Sequence, residues 1–142
     1  MFVRIHRLSP SVSLPRYESQ GAAAFDLAAA QDTTIQPGQV ALVPTGLVVE
    51  VPPGMFLAIF ARSSTPLKRG LMVANGVGIV DRDYCGPRDE VKIALLNFTQ
   101  AAVDVRAGDR IAQGVLLPTS QVIWEEVEEV RKDSRGGFGS TG

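Results

Sequence analysis

The 142 residues contain one cysteine, Cys85, and one histidine, His6. A lone thiol excludes an intrachain disulfide and a cysteine-built metal site. A lone imidazole sets aside a histidine-based zinc centre and a Ser-His-Asp triad. Carboxylates are left for acid–base work, with oxygen ligands for a hard cation such as magnesium. Charge of one sign is also missing: 14 Lys and Arg against 15 Asp and Glu give a net charge of −1. Bulk attraction for nucleic acid or an anionic membrane is therefore absent, and any phosphate affinity must come from local geometry. Long hydrophobic runs are missing as well. The opening MFVRIHRLSPSVSLP has no apolar stretch suited to a secretory signal, and no later window approaches a membrane span. A cytoplasmic protein with a small-molecule partner is expected.

What is present is an ordinary globular composition, 45% hydrophobic and 20% charged, in a chain of one-domain length. Apolar and β-branched residues fall in short runs punctuated by Gly and Pro, which predicts many short strands. The candidates are Phe2 to Arg7, Gln39 to Val43, Leu47 to Val51, Met55 to Ala61, Leu71 to Ala74, Val91 to Asn97, Ala101 to Val105, Arg110 to Leu117 and Val122 to Val130. Turn signals separate nearly all of them: Gln36-Pro37-Gly38, Pro52-Pro53-Gly54, Cys85-Gly86-Pro87 and Ala107-Gly108-Asp109. Such spacing favours a sandwich, jelly roll or small barrel. The only helix expected is short, Ser64 to Arg69, capped by Ser63 or Ser64 with Pro66 in its first turn. A domain over 1–133 is expected, followed by a flexible, low-complexity arm over 134–142.

Five clusters carry chemistry. Phe25-Asp26-Leu27 sets one acid in an Ala-rich stretch, where a carboxylate needs a partner or a hydrated cation unless it faces water at a strand edge. Ala61-Arg62-Ser63-Ser64 stands between a strand and the helix, where N–H groups, hydroxyls and a guanidinium can converge on a phosphate; a cap beside a surface arginine is the plainer alternative. Val77 to Tyr84 is an apolar strand ending in Asp81, Asp83 and Tyr84. An acid fixed at a strand end can orient and polarise a water, although Asp-x-Asp serves equally as a turn cap. Arg110 and Gln113 open another apolar strand, and an edge ion pair explains them as well as a ligand does. The tail, Arg135-Gly-Gly-Phe-Gly-Ser-Thr-Gly142, has the donors to close over phosphates, or frays in solvent.

Taken in order, AAAFDL, ARSSTPLKRGL, NGVGIVDRDYCG, GDRIAQ and RGGFGSTG resemble the five motifs of the trimeric deoxyuridine triphosphate nucleotidohydrolase (dUTPase) family, from Ala22 to Gly142. The resemblance implies an all-β, jelly-roll-like distorted barrel and a homotrimer whose active sites draw on all three chains. It implies hydrolysis of dUTP to dUMP and pyrophosphate with Mg2+ on the phosphates. Asp81 would orient the water, while Arg62, Ser63, Ser64 and Gln113 would hold phosphates and Arg110 would join the substrate-binding residues. Asp26 would touch magnesium through water. The hairpin after Asn75, with Gly78, Ile79 and Val80, would read uracil by its backbone, and Lys92 would add a contact beyond it. Tyr84 would pack on the deoxyribose and leave no room for a 2′-hydroxyl. Arg135, Gly137, Phe138, Gly139, Ser140 and Thr141 would close over the nucleotide, with Phe138 stacked on the base.

The chain departs from that pattern in three places. Pro87, Arg88, Asp89 and Glu90 stand where many relatives have a single residue, Cys85 where a polar or basic one is frequent, and Thr65 where an apolar one is usual. The fold is shared with dCTP deaminase, whose chemistry needs a glutamate about where this chain has Ala94. A nucleotide sensor or jelly-roll assembly protein that kept the pocket is the non-enzymatic alternative.

Overall fold

A computed structural model of the chain describes residues 1–134, 136 and 137. Eleven strands and one helix follow in order: β1 (Arg4–Arg7), β2 (Phe25–Ala28), β3 (Thr33–Ile35), β4 (Val40–Pro44), β5 (Leu47–Glu50), β6 (Met55–Phe60), α1 (Ser64–Arg69), β7 (Leu71–Val73), β8 (Gly78–Val80), β9 (Lys92–Asn97), β10 (Val103–Val105) and β11 (Arg110–Pro118). They form four antiparallel sheets with strand orders β1-β5, β10-β3, β2-β11-β6-β8 and β4-β9-β7. The expected all-β class holds, with one short helix, but the strands do not close into a barrel. In the largest sheet β2 and β8 are the terminal strands; the outer side of β2 carries an isolated bridge from Arg16 to Asp26, while β8 has no strand neighbour on its outer side among the described residues.

One core lies between the sheets. It takes Leu27 from β2, Ile35 from β3, Val43 from β4, Leu57 and Ile59 from β6, Ile93 and Leu95 from β9, Val105 from β10 and Ile111 from β11. Along β9 the buried positions are Ile93, Leu95 and Asn97, the period-2 pattern of a sheet with one covered face. On its other face Val40, Leu96 and Met72 form a cross-strand row, with Leu42 beside Ala94 in the next. Val40, Leu42 and Met72 are 52%, 63% and 43% exposed, so the outer face of this sheet is apolar and left uncovered by the described residues.

The expected turns form where Gly and Pro place them: Gln39 N–H donates to the Gln36 carbonyl, Met55 N–H to Pro52 and Asp109 N–H to Arg106. Two strands escaped the sequence pattern. β2 lies in an Ala-rich stretch of low strand propensity and is created by pairing with β11, while β3 is only a three-residue partner of β10. The expected strand Val122 to Val130 does not form. Its glutamates and valines find no ladder among the described residues, and Ile123 and Trp124 are 100% and 90% exposed. Among the described residues no helix is long and apolar enough to cross a membrane.

Candidate active site

The four-stranded sheet lines up three of the sequence clusters. Asp26 on β2 is opposite Gln113 on β11, and Gln113 is opposite Phe60, the last residue of β6. The chain then runs directly into Arg62. Asp26 Oδ1 lies 2.8 Å from Arg62 Nε, and Oδ2 lies 3.1 Å from Arg110 Nη1. Arg62 Nη1 also donates to the Arg110 carbonyl at 3.3 Å, and Gln113 Nε2 to the Ala61 carbonyl at 2.9 Å. A carboxylate this little exposed, 13% for its side chain, requires partners, and two guanidinium groups supply them. The alternative of an acid facing water at a strand edge is thereby removed. Arg110 is shared with Glu18 at 2.8 Å, a residue that sequence reading missed because it lies outside any strand or motif.

Asp109 braces this end. Its carboxylate accepts from Arg69 at 2.8 Å and from the Arg106 N–H at 2.9 Å, while its carbonyl accepts the Ala29 N–H. The Arg69 hydrogen bond is the chief reason its carboxyl lies below the usual aspartate value. Thus the turn before Arg110 is tied both to α1 and to the end of β2.

Ser63 occupies the N-cap position of α1, as expected, but neither it nor Ser64 makes the cap bond. Thr65 instead ties Arg62, ahead of the helix, to β11. Its hydroxyl oxygen accepts the Arg62 N–H at 3.2 Å and donates to the Ile111 carbonyl at 3.2 Å, with the residue 1% exposed. A hydroxyl where an apolar residue is usual therefore joins helix and strand, and the Ser63 hydroxyl is left exposed and uncommitted to capping.

The remaining chain-internal cluster surrounds β8. Gly78 packs so closely on β6 that a Cβ there would lie 3.1 Å from the Ile59 Cβ and 3.7 Å from Asn75 Nδ2. A side chain there would require Ile59 to give way by a few tenths of an ångström. Because β8 ends its sheet, the outer N–H and C=O groups of Gly78 to Val80 are placed for a planar ligand edge. Asp81 follows at once, and its carbonyl accepts the Tyr84 N–H at 3.3 Å. Asp81 and Asp83 line one cleft of 880 Å³ together with Ile79, Phe56 and Thr119. Lys92 lies elsewhere, in a 470 Å³ cleft shared with Gly46 and Glu90. Gly137 is exposed, whereas Arg135, Phe138, Gly139, Ser140 and Thr141 fall outside the described residues.

The two clusters stand apart. β8 is antiparallel to β6 with Leu57 opposite Val80, so Asp81 leaves the sheet level with Phe56. Arg62 leaves it beyond Phe60. The Phe56 to Phe60 run offsets them by roughly 13 Å at about 3.3 Å per residue. Catalytic groups must hold reacting atoms at about 3–3.5 Å. Within one chain Asp81 and the paired arginines Arg62 and Arg110 occupy opposite ends of the sheet.

No group of three or more potential metal-ligating residues occurs among the described residues. Asp26, with both oxygens in ion pairs, suits a magnesium ion only through the ion's own waters. That is compatible with a cation that keeps several waters and binds chiefly to substrate phosphates.

Residues 11–142 match the dUTPase family model. The chain is 44% identical over 140 residues to the deoxyuridine 5′-triphosphate nucleotidohydrolase of Desulfotalea psychrophila, covering 96% of this chain and 91% of the relative. Among solved structures it is similar to the dUTPase of Streptococcus mutans, with a TM-score of 0.78, 34% identity and coverage of 86% and 98%. It shares its fold with a mutant dUTPase from phage phi11 of S. aureus described for the coordination of a structural Mg(II) ion, with a TM-score of 0.80, 20% identity and coverage of 92% and 99%.

Proposed function

The chain belongs to the dUTPase family, and on that premise we propose that it hydrolyses dUTP to dUMP and pyrophosphate at sites completed by neighbouring copies in a homotrimer. The observation that carries this reading is the separation of Asp81 from Arg62 along β6. A site using both needs the acid of one copy and the arginines of another. The uncovered apolar face formed by Val40, Leu42, Met72 and Leu96 offers a surface over which copies can associate.

In this reading Asp81 orients and polarises a water for in-line attack at the α-phosphorus, with proton acceptance developing in the transition state. Arg62, Ser63, Ser64, Arg110 and Gln113 of a second copy hold the phosphates; an incoming phosphate replaces the exposed Glu18 on Arg110. Phosphoryl transfer consists mainly of positioning and charge neutralisation, so these donors suffice without a histidine. Magnesium, when bound, neutralises phosphate charge, with Asp26 holding its hydration shell.

Asn75 and the free edge of Gly78, Ile79 and Val80 meet the acceptor, donor, acceptor edge of uracil. Cytosine would leave buried groups unpaired. Tyr84 packs on the deoxyribose. Lys92, which lines a different cleft, adds its contact from beyond this pocket. From a further copy, Arg135, Gly137, Phe138, Gly139, Ser140 and Thr141 close the chamber and exclude water. The product would serve thymidylate synthesis, and dUTP removal would limit uracil in DNA. An exposed free thiol at Cys85 suits action in the reducing cytoplasm.

The test is pyrophosphate release from dUTP, dTTP, dCTP and UTP with and without magnesium. Rapid release from dUTP alone, dependent on the metal, is expected. Equal turnover of all four, or ammonia from dCTP, would overturn the assignment.

A further inference from the structure

Glu90, in the lengthened connection between β8 and β9, is anchored from two sides. Its Oε1 accepts the Gly46 N–H at 2.7 Å. The next residue, Val91, is 1% exposed and fully engaged through its backbone: its N–H donates to the Leu47 carbonyl at 2.8 Å, and its carbonyl accepts the Thr45 N–H at 3.2 Å and the Thr45 hydroxyl at 2.6 Å. The segment before it is closed on itself, with Gly86 N–H donating to Asp89 Oδ2 at 2.7 Å and Glu90 N–H to the Arg88 carbonyl at 2.9 Å. The Glu90 carbonyl is therefore held in place by the β4–β5 turn. That carbonyl accepts the Tyr84 hydroxyl at 3.2 Å.

Among the described residues this is the only hydrogen bond of the Tyr84 side chain. The residue is 43% exposed, on a turn between Asp81 and the lengthened connection. A phenol ring so exposed can swing about its side-chain torsions unless its far end is tethered. We propose that Glu90 is a positioning residue for sugar selection: its carboxylate clamps the Gly46 amide, fixing the carbonyl that tethers the Tyr84 hydroxyl, so that the ring cannot yield to a ribose 2′-hydroxyl. The inference rests on the reading above in which Tyr84 packs on the deoxyribose. Rejection of an added hydroxyl by an apolar surface is intrinsically weak, about a hundredfold, and depends on the wall staying where it is.

The experiment measures kcat/KM for dUTP and for UTP, together with thermal melts, for the full-length protein and for Glu90→Ala, Glu90→Gln, Tyr84→Phe and the Glu90→Ala/Tyr84→Phe double variant. Glu90→Ala should lower the dUTP to UTP ratio by about tenfold, chiefly through faster UTP turnover. Glu90→Gln keeps an oxygen that can accept the Gly46 N–H, and should hold the ratio within about twofold of the parent. Tyr84→Phe should lower the ratio as Glu90→Ala does, and the double variant should fall no further, because both remove one tether. A Glu90 that only stabilises the fold would lower the melting temperature and slow both substrates alike, leaving the ratio intact; that result overturns the proposal. If Glu90→Ala does not fold, Glu90→Asp, whose shorter side chain cannot reach the Gly46 N–H, takes its place, and an unchanged ratio in it or in Tyr84→Phe is equally fatal. A parent protein that releases no pyrophosphate from dUTP would instead overturn the functional reading beneath it.

Discussion

Asp26 Oδ1 meets Arg62 Nε at 2.8 Å, with side chains 13% and 23% exposed, and this pair joins the first strand of the large sheet to the residue that leaves its third. Removing one partner strands the other as a poorly solvated charge. Asp26→Ala should therefore cost about 2 kcal/mol of stability, less than a fully buried pair because some solvent reaches it. It should also raise KM for dUTP by roughly tenfold as Arg62 and Arg110 lose their common anchor. Thermal melts and steady-state kinetics read the two effects separately. A variant with parental KM would remove the pair from substrate binding.

Asp81 lies in the opposite region, exposed at the mouth of a cleft and outside the core. Asp81→Asn preserves size and hydrogen-bonding reach but cannot take up a proton. Turnover should fall by about 10²- to 10⁴-fold while equilibrium binding of dUTP stays within about threefold. Binding by calorimetry beside single-turnover kinetics checks this. Loss of affinity in proportion to turnover would mean that Asp81 holds the substrate and does not activate water.

How much of this was legible in the sequence depended on whether the signal was local. The strands from β4 to β9 and the helix Ser64–Arg69 follow from β-branched runs and Gly/Pro punctuation, which act on neighbouring residues. β2 does not, because its alanines are poor strand formers and pairing with β11 makes it a strand. The Asp26, Arg62, Arg110 constellation was readable as residue types in order, but its ion pairs join positions far apart in the chain. Glu18 carries no local signal at all, and Glu90 matters through Gly46, a partner brought near by folding. Thr65 reads as a departure from pattern until the Ile111 carbonyl is placed beside it. The run Val122 to Val130 has strand composition and no strand partner among the described residues, so composition alone misleads there.

Asp109 gives the pH dependence a sign. The hydrogen bond from Arg69 holds its carboxyl below 3.8 in the folded chain. The folded state therefore binds that proton less readily than the unfolded state does. The resulting stabilisation is present in full above the unfolded value and is lost as pH falls through the folded one. Asp109→Ala should lower stability by roughly 1 kcal/mol at neutral pH, or about 3 °C in Tm. The gap between variant and parent should narrow only below about pH 4. Denaturant titrations at pH 7, 5 and 3 provide the check; a gap that persists unchanged at pH 3 would mean that packing, and not the charge, is what the substitution removes.

Truncation before Arg135 tests the closing role proposed for residues 135–142. The removed segment has one large apolar side chain, Phe138, among glycines and hydroxyl residues. Its burial contributes at most about 2–3 kcal/mol, and a segment that covers substrate contributes less without it. Tm in the absence of nucleotide should fall by less than about 2 °C, while kcat falls by at least about tenfold. A large drop in Tm would make the segment part of the resting fold.

The most direct consequence of the offset between Asp81 and Arg62 is complementation. If one site takes the acid from one copy and the arginine from another, two inactive variants spoil different halves of it. Asp81→Asn chains retain Arg62, and Arg62→Ala chains retain Asp81. Unfolded together in equal amounts and refolded, they should form mixed assemblies in which about a quarter of the sites receive an intact half from each variant. Turnover near a quarter of the parental value would follow, from two preparations that are each nearly inactive. If both groups of a site came from the same chain, every chain would carry one defect and mixing would recover nothing. A control separates shared sites from simple stabilisation by mixing: Leu42→Lys placed in both variants charges the uncovered sheet face. It should abolish the recovery and reduce the mass measured by light scattering. Recovery that survives with monomeric mass would contradict the shared site, because no second copy would remain to supply the missing half.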